Sequence, residues 1–109
     1  MPTSAHDAKG MLISAIEDDN PVISLEHRWL YGIKDFVPEE PFRVPLGKAR
    51  VMREGTDVTI VSLSYMTLEA LSAAETLETR GVNAEVVDLR SLRPLDEQTI
   101  LDSIKKTGR

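Results

Sequence analysis

Apolar residues near the start of the chain recur with the period of an α-helix. Five of them fall on one helical face: Ala8, Met11, Leu12, Ala15 and Ile16. This spacing predicts a helix over residues 7–17, in which Asp7 or Ser4 accepts hydrogen bonds from the free N–H groups of the first turn. Asn20 and Pro21 end the helix, because a residue before proline avoids the helical region. Residues 21–26 are then predicted to form a short strand.

Residues 27–56 show no regular period. This segment contains three prolines and three glycines: Pro38, Pro41, Pro45, Gly32, Gly47 and Gly55. Proline cannot donate a backbone hydrogen bond, and glycine favours turns. The composition therefore predicts an extended linker between two structured parts of the chain.

Strand-like and helix-like segments alternate after the linker. Residues 57–64 and 83–89 are rich in β-branched and apolar side chains, as in strands that are covered on both faces. Residues 66–80 between them have apolar residues at helical spacing. Strand, helix and strand in this order form a βαβ unit, in which the two strands are parallel.

A final helix is predicted over residues 96–106, introduced by Pro94 and with Ile100, Leu101 and Ile104 on one face. The fold class is therefore α/β: a helix and a strand, an extended linker, then a βαβα unit around a parallel sheet. Two parallel strands alone leave both edges of a sheet unpaired. We therefore expect strands to be missing at both ends of the chain, and we expect the chain to self-associate.

Charge and composition argue against several classes of function. The 109 residues include 18 acids and 13 bases, for a net charge of -5, which disfavours a nucleic-acid or anionic-membrane surface. There is no cysteine to form disulfides, thiolate metal sites or cysteine nucleophiles, and two histidines are too few for a histidine-rich metal site. The chain has neither a leader-like amino terminus nor a long apolar run. We expect a soluble, cytoplasmic protein.

Glu26 and His27 are candidates for proton transfer, because they follow a predicted strand end. Neighbouring side chains of an extended chain point to opposite sides, however, which favours a packing role in the linker for His27. Trp29, Leu30 and Tyr31 are predicted to anchor the linker against a domain or a partner subunit. We assign no catalytic residue to the chain.

Two further polar segments are predicted to be scaffold. Residues 62–66 join a strand to a helix without the glycine-rich loop that a phosphate needs. Four charged residues in DLRSLRPLD are expected to form a surface corner in which an arginine pairs with Asp96: Asp88, Arg90, Arg93 and Asp96.

Four stretches, taken in order, resemble one protein family. They are DAKGMLISAIEDDNPVISLEHRWLYG, VPLGKARVMREGTDVTIVSLSYM, ALSAAETLETRGV and AEVVDLRSLRPLDEQTILDSIKKTGR. Together they resemble the β subunit of the thiamine-diphosphate-dependent decarboxylase component of 2-oxo acid dehydrogenase complexes, such as pyruvate dehydrogenase. This subunit belongs to the transketolase superfamily, and the likeness extends over residues 7–109.

The resemblance implies a division of the chain. Residues 1–26 correspond to the end of a pyrimidine-binding domain, 27–56 to an interdomain linker and 57–109 to the first half of a transketolase C-terminal-type domain. It also implies partners: an α subunit, a second β subunit and a lipoyl acyltransferase core. The cofactor-activating glutamate of the family lies upstream of the matched residues, and the α subunit holds the diphosphate and its Mg2+. The chain by itself is thus expected to bind no thiamine diphosphate and to be inactive.

The turn after the first helix is a candidate cation site. A helix carboxyl terminus has free carbonyl groups and the negative end of the helix dipole, which together attract hard cations. The residues alone favour a plain helix cap. The resemblance instead implies a potassium site formed by the positions of Ala15, Ile16, Asp18 and Asn20, with one further ligand from an upstream segment.

Two alternatives stay open at this point. The chain could be a stand-alone α/β interaction module without catalytic activity, or it could be part of a transketolase-like enzyme. Neither alternative requires a reactive residue within the 109 positions.

Overall fold

A computed structural model describes residues 1–109. In chain order the elements are α1 (Ala5–Ile16), a 3-10 turn (Arg28–Leu30), β1 (Arg50–Arg53), β2 (Val58–Ser62), α2 (Tyr65–Glu78), β3 (Ala84–Asp88) and α3 (Glu97–Thr107). This order confirms the predicted amino-terminal helix and the βαβα unit. None of the helices combines the length and hydropathy needed to cross a membrane.

The sheet has three strands, in the order β1-β3-β2. β2 and β3 are parallel, from the Val58–Ala84 pair to the Ser62–Asp88 pair, as predicted. β1 is antiparallel to β3, so the sheet is mixed and not the two-stranded parallel sheet that we expected. β1 lies in the stretch predicted to be linker. Its four residues begin and end with arginine and contain a register shift, so the sequence carries no strand period there.

The strand predicted for residues 21–26 is absent, and this stretch has no regular secondary structure. No other segment pairs with it in the three-stranded sheet. A strand requires a neighbour to satisfy its backbone groups, so β-branched residues alone do not form one. Ile23 is 85% exposed as a result.

α1 begins at a polar cap. The Ser4 hydroxyl accepts a hydrogen bond from the Asp7 N–H (3.1 Å), which identifies Ser4 as the cap. The helix packs closely on residues 42–44, since a Cβ added at Gly10 would lie 2.5 Å from Val44 Cγ2. The Val44 N–H donates to the Gly10 carbonyl (3.1 Å). Glycine thus allows the helix backbone to pair with the following segment of chain.

One face of the sheet carries the apolar core. Ala70 and Ala74 of α2 pack against Ala84 and Val86 of β3, and all four are buried. Small side chains bring the helix axis close to the sheet, and larger partly buried residues fill the rim: Met52, Val58, Ile60, Leu71 and Leu77.

The opposite face of the sheet, under α3, is polar. The Thr59 hydroxyl lies 2.8 Å from both the Ser103 and the Thr107 hydroxyls, and these two α3 residues are buried. Two residues of the apolar face predicted for α3, Leu101 and Ile104, are 49% and 40% exposed. The helix instead turns hydroxyl groups toward the sheet.

Glu85 is the reason for this polar face. It lies in the central strand, 1% exposed, and its carboxylate pairs with Lys106 of α3 and accepts from the Gly55 N–H (3.2 Å). Burial acts to raise the pKa of Glu85, but the hydrogen bonds from Lys106 and Gly55 outweigh it and hold this pKa below its ordinary value. A Cβ at Gly55 would lie 2.1 Å from the Glu85 nitrogen, so only glycine fits beside the strand.

Candidate functional site

The four residues of the predicted cation site lie in one exposed turn at the end of α1. The Glu17 N–H closes the helix on the Ile13 carbonyl (3.1 Å). The carbonyls of Ala15 and Ile16 accept no hydrogen bond within the chain. Two main-chain oxygens are therefore free at the negative end of the helix dipole.

Asp18 and Asn20 form a local hydrogen-bonded turn. Asp18 Oδ1 accepts from the Asn20 N–H (2.8 Å) and from the Asn20 side-chain amide (3.0 Å). The backbone N–H of Asn20 is the main reason that the pKa of Asp18 lies below its ordinary value. The turn is thus held by the Asp18 carboxylate, while the oxygens open to a cation are mostly carbonyls.

Side-chain hydrogen bonds join α1 to residues 38–43. Lys9 donates to three successive carbonyls, those of Pro38, Glu39 (2.9 Å) and Glu40 (3.1 Å). At the carboxyl end of the helix, the Arg43 Nε donates to Glu17 (2.8 Å). These contacts fix the cation turn relative to residues 38–44.

A buried charge pair joins the amino terminus of α1 to the end of β3. Asp7 is 1% exposed, and its Oδ1 lies 3.4 Å from Arg90 Nη1, with Arg50 Nη1 4.0 Å from Oδ2. Arg90 also donates to the carbonyls of Lys48 (2.9 Å) and Ala49 (3.3 Å). Asp7 is thus a long-range anchor and not the helix cap that the sequence also allowed.

Residues before α1 lie across the carboxyl edge of the sheet. Ser64, the residue before α2, has a φ of 54°. Its hydroxyl donates to the Pro2 carbonyl (3.1 Å), and its carbonyl accepts from the Thr3 hydroxyl (3.1 Å). The Met1 amino group donates to the Arg90 carbonyl (2.8 Å). Hydrogen bonds from this segment therefore hold Ser64 in a positive-φ conformation that L-residues rarely adopt.

Asp88 is the second buried carboxyl at this edge. It ends β3, is fully buried, and accepts from the Arg90 N–H (3.1 Å) at Oδ1, while Oδ2 has no hydrogen-bond partner. Burial raises the pKa of Asp88, and the nearby Asp7 charge acts in the same direction. The carboxyl end of β3 thus places an Asp88 with a raised pKa beside the ion pair of Asp7 and Arg90.

The predicted surface corner does not form. Asp88 and Asp96 are buried, and Arg90 pairs with Asp7 and not with Asp96. Asp96 instead caps α3, accepting from the Thr99 N–H (3.3 Å), and the Thr99 hydroxyl holds the pKa of Asp96 below its ordinary value. The correction arises because the partners of Arg90 come from α1 and from the two residues just before β1, far away in sequence.

Glu26 and His27 do not act as a pair. Glu26 accepts from the Tyr31 hydroxyl (3.1 Å), and His27 Nδ1 accepts from the Trp29 N–H (3.3 Å). The His27 ring stacks on Tyr65 of α2 at 5.0 Å. This supports the packing role, with the linker held on α2 by aromatic contacts.

The aromatic anchors remain open to a partner. Trp29 is 70% exposed, with its ring edge-on to His27 and its centroid 5.0 Å from that of Tyr65 of α2. A cleft of about 190 Å³ separates the linker from the start of α1; its lining includes Pro2, Ala8, Leu30 and Ile33. The linker side of the molecule is therefore a partly apolar surface.

The chain has no cluster of metal-binding side chains and no phosphate-binding loop before α2. No three His, Asp or Glu side chains converge on one point. α2 begins at Ser64 without a glycine-rich loop. The chain has instead a turn with free carbonyl groups after α1, and a buried ion pair between Asp7 of α1 and Arg90 beyond β3.

Comparison with known proteins decides the family. Residues 47–109, which include the whole sheet with α2 and α3, match the model of the transketolase C-terminal domain. The chain belongs to the transketolase C-terminal domain family. The predicted fold class is confirmed in this part, and the family match takes in β1 as well as the residues after it.

Relatives along the whole chain are similar to β subunits. The chain is 53% identical, over 100% of its length, to the pyruvate dehydrogenase E1 component subunit beta of Bacillus subtilis. It is 49% identical, over 99% of its length, to the acetoin:2,6-dichlorophenolindophenol oxidoreductase subunit beta of Cupriavidus necator. These matches confirm the resemblance to the β subunits of 2-oxo acid dehydrogenases. The chain spans 34% and 32% of these two relatives, about a third of their length.

A solved structure has the same arrangement. A split-gene transketolase, described as an inactive beta4 tetramer, superposes with a TM-score of 0.79 at 36% identity, covering 98% of this chain and 34% of that one. Because nearly the whole chain superposes, α1 and the linker are part of the shared architecture along with the C-terminal domain.

We expect the charge state of Asp88 to give this domain a distinctive pH dependence. A carboxyl whose pKa is raised on folding holds its proton more tightly in the folded state. Its contribution to the unfolding free energy is therefore full below the unfolded pKa and is lost as the pH rises through the folded pKa. Replacing Asp88 by Asn removes this loss. The unfolding free energy of D88N, minus that of the unchanged chain, should grow as the pH rises from the ordinary carboxyl range through the raised pKa of folded Asp88, by about 1.4 kcal/mol per unit of pKa shift.

Urea unfolding followed by circular dichroism at several pH values measures this difference. D19N, in the exposed turn after α1, is the matched control and should show no such growth. A constant difference between D88N and the unchanged chain across the pH range would contradict a raised pKa for the buried Asp88.

Proposed function

We propose that this chain is part of the β subunit of a thiamine-diphosphate-dependent 2-oxo acid dehydrogenase. The whole enzyme would decarboxylate pyruvate or a related 2-oxo acid oxidatively and pass the acyl group to lipoyl groups. The single observation that carries the proposal is the identity of 53% along the entire chain to a pyruvate dehydrogenase β subunit. It favours this class over a transketolase, for which the superposed structure has 36% identity.

The contribution of this chain is scaffold. The buried pair of Asp7 and Arg90 and the hydrogen bonds of residues 1–3 fix α1 on the carboxyl edge of the sheet. In open α/β folds this edge is where ligands of the complete protein bind. A fixed angle between α1 and the sheet would set the geometry of a cofactor site built by other parts of the enzyme.

The proposed division assigns residues 1–26 to the end of a pyrimidine-binding domain, 27–56 to the linker and 57–109 to the C-terminal domain. The family match from residue 47 and the place of β1 in the sheet favour an earlier start of the C-terminal domain. The α1 contacts with residues 38–44 support a linker that packs on the first domain.

Thiamine diphosphate and Mg2+ are proposed as cofactors of the whole enzyme, held by an α subunit and by parts of the β subunit beyond these residues. The proposed partners are that α subunit, a second β subunit and a lipoyl acyltransferase core, in a cytoplasmic oligomer. The exposed side chains of Ile23, Trp29 and Phe36 support contact with a partner polypeptide along the linker.

The turn after α1 is proposed as a structural potassium site. The unpaired carbonyls of Ala15 and Ile16 and the oxygen-rich side chains of Asp18 and Asn20 supply ligands of the right kind for a hard monovalent cation. An ion there would oppose the negative end of the α1 dipole and hold the chain as it turns into Pro21.

A chimera tests the proposed function. The matching third of the Bacillus subtilis β subunit is replaced by this chain, and the chimera is combined with that organism's α subunit, thiamine diphosphate and Mg2+. We expect the chimera to decarboxylate 2-oxo acid at a rate within about tenfold of the parent, because the exchanged part supplies only support, while the isolated chain gives no turnover.

The matched control is a chimera with Gly55→Val, which the close approach to Glu85 does not tolerate. It should fail to assemble. Turnover by the isolated chain would refute the scaffold assignment, and so would an unaltered chimera that assembles with the α subunit but is inactive.

The cation turn predicts ion-selective stability. Melting temperatures of the chain are compared in potassium chloride and choline chloride at matched ionic strength, so that general screening is equal. We expect a higher value in potassium for the unchanged chain and for D19A. D18A removes one negative charge, as D19A does, but it also removes the hydrogen bonds between Asp18 and Asn20. We therefore expect no difference between the two salts for D18A. An equal potassium effect in D18A and D19A would exclude this turn as the site.

A further inference from the structure

Buried polar groups join α1 to the carboxyl edge of the sheet. No strand exchanges a main-chain hydrogen bond with α1. The connection depends on a group of residues that we call the joint: Thr3, Asp7, Ser64, Thr67, Asp88 and Arg90. The Thr3 hydroxyl donates to the Ser64 carbonyl (3.1 Å) and lies 3.3 Å from the Thr67 hydroxyl. The charges within the joint therefore determine how firmly α1 is held on the sheet.

The positive charges of the joint are all directed to Asp7. The Arg90 side chain is only 12% exposed, and its Nη1 lies 3.4 Å from Asp7 Oδ1. Its other donors reach main-chain carbonyls before β1. Arg50 Nη1 lies 4.0 Å from Asp7 Oδ2, and this arginine is half-exposed. Neither arginine forms an ion pair with Asp88, although Asp88 is fully buried.

The Asp88 carboxyl lacks a partner for one of its oxygens. Its Oδ1 accepts from the Arg90 N–H (3.1 Å), whereas its Oδ2 is buried without a hydrogen bond. A protonated carboxyl carries no charge and has a donor of its own. An ionised carboxylate keeps an unpartnered charged oxygen away from water, which costs free energy until the joint opens. Burial, together with the nearby Asp7 charge, raises the pKa of Asp88, in agreement with this cost.

Two other groups near the joint change charge with pH. The His6 Nδ1 lies 3.4 Å from Asp7 Oδ1, and the Met1 amino group donates to the Arg90 carbonyl (2.8 Å). Burial lowers the pKa of the Met1 amino group. The ends of β2 and α2 meet the joint with hydroxyl groups. The effect of Asp88 therefore has to be separated from those of His6 and Met1.

We propose that the joint responds to pH: a protonated Asp88 holds α1 and residues 1–3 firmly on the sheet, and ionisation of Asp88 favours a locally open state. In the open state these residues part from Ser64 and Arg90, and water reaches the Asp88 carboxylate. The closed joint binds the proton more tightly than the open joint, so the equilibrium constant for opening rises with pH. The proposal concerns groups within the chain and does not depend on the proposed enzyme or potassium site.

Amide hydrogen exchange of Arg90, followed by NMR over a series of pH values, tests the proposal. After correction for intrinsic exchange, we expect the opening constant to rise by up to about tenfold per pH unit while Asp88 ionises. The nuclear Overhauser contacts between Thr3 and Thr67 should weaken in parallel. In a joint that stayed closed, an ionised Asp88 would bind the Arg90 N–H more strongly and slow its exchange. The two cases thus change the rate in opposite directions.

The amide of Val87 separates local opening from global unfolding. Val87 is buried in the central strand, so its exchange reports unfolding of the sheet. We expect the Arg90 amide to exchange faster than the Val87 amide throughout the pH range.

Two amide variants are matched controls. D88N keeps an oxygen for the Arg90 N–H but has no charge to gain, so its opening constant should not vary with pH over the carboxyl range. D102N removes an exposed carboxylate of α3 and should keep the pH dependence of the unchanged chain. If D88N does not fold, the direction of the change in the unchanged chain decides the question alone.

Three outcomes would overturn the proposal. One is an opening constant of the unchanged chain that stays level or falls as the pH rises. Another is an equal rise in D88N, which would assign the effect to His6 or Met1. The third is equal exchange of the Arg90 and Val87 amides, since the opening would then be global unfolding.

Discussion

The structure depends on burying two carboxyl groups in its central strand. All five residues of β3 are buried, and two of them, Glu85 and Asp88, are acidic. Burial of an ionisable group costs free energy unless the group is paired or neutral. Glu85 is paired with Lys106 of α3, whereas Asp88 has a raised pKa and lies beside the contacts of α1.

Glu85 is paired, and the pairing positions α3. Lys106 reaches the carboxylate from the helix, Gly55 donates to it from the turn before β2, and a row of hydroxyls fills the space between helix and sheet. α3 consequently turns a polar side inward and leaves Ile104 free. Asp88 instead has a pKa that burial raises, beside the Asp7–Arg90 pair that joins α1 to the sheet. The central strand thus connects the amino-terminal helix to the C-terminal domain through polar contacts.

Sequence patterns predicted those parts of the fold that local periodicity determines. α1, α2, β2, β3 and α3 were predicted near their observed bounds, because each has its own apolar period or strand composition. β1 was missed because a four-residue strand with arginine at both ends has no period. The strand predicted for residues 21–26 was wrong because strand formation depends on a neighbour, which a local pattern does not reveal.

The site was predictable only where it is local. The turn containing Ala15, Ile16, Asp18 and Asn20 follows from one helix end and one proline, and its residues do lie together. The partner of Asp7 is 83 positions away in the sequence, and nothing near either residue indicates the pairing. The orientation of α3 was not predictable from its own residues for a related reason: its partners, Thr59 and Glu85, lie on other elements.

These observations give one account of the function. A member of the transketolase C-terminal domain family, similar along its whole length to dehydrogenase β subunits, joins α1 to its sheet through buried polar contacts. Its reactive groups are few, and most of its acidic side chains that are buried have a structural partner or a raised pKa. The proposed role as support for a cofactor site built elsewhere is consistent with this distribution of charge.

A double-mutant cycle between Glu85 and Lys106 tests the central claim most directly. The unfolding free energies of E85Q, K106M and the double variant are compared with that of the unchanged chain. The account predicts a coupling of about 1 to 2 kcal/mol, since one partner is buried while the other is half-exposed to water. A coupling near zero would contradict the claim that charge compensation in the central strand positions α3.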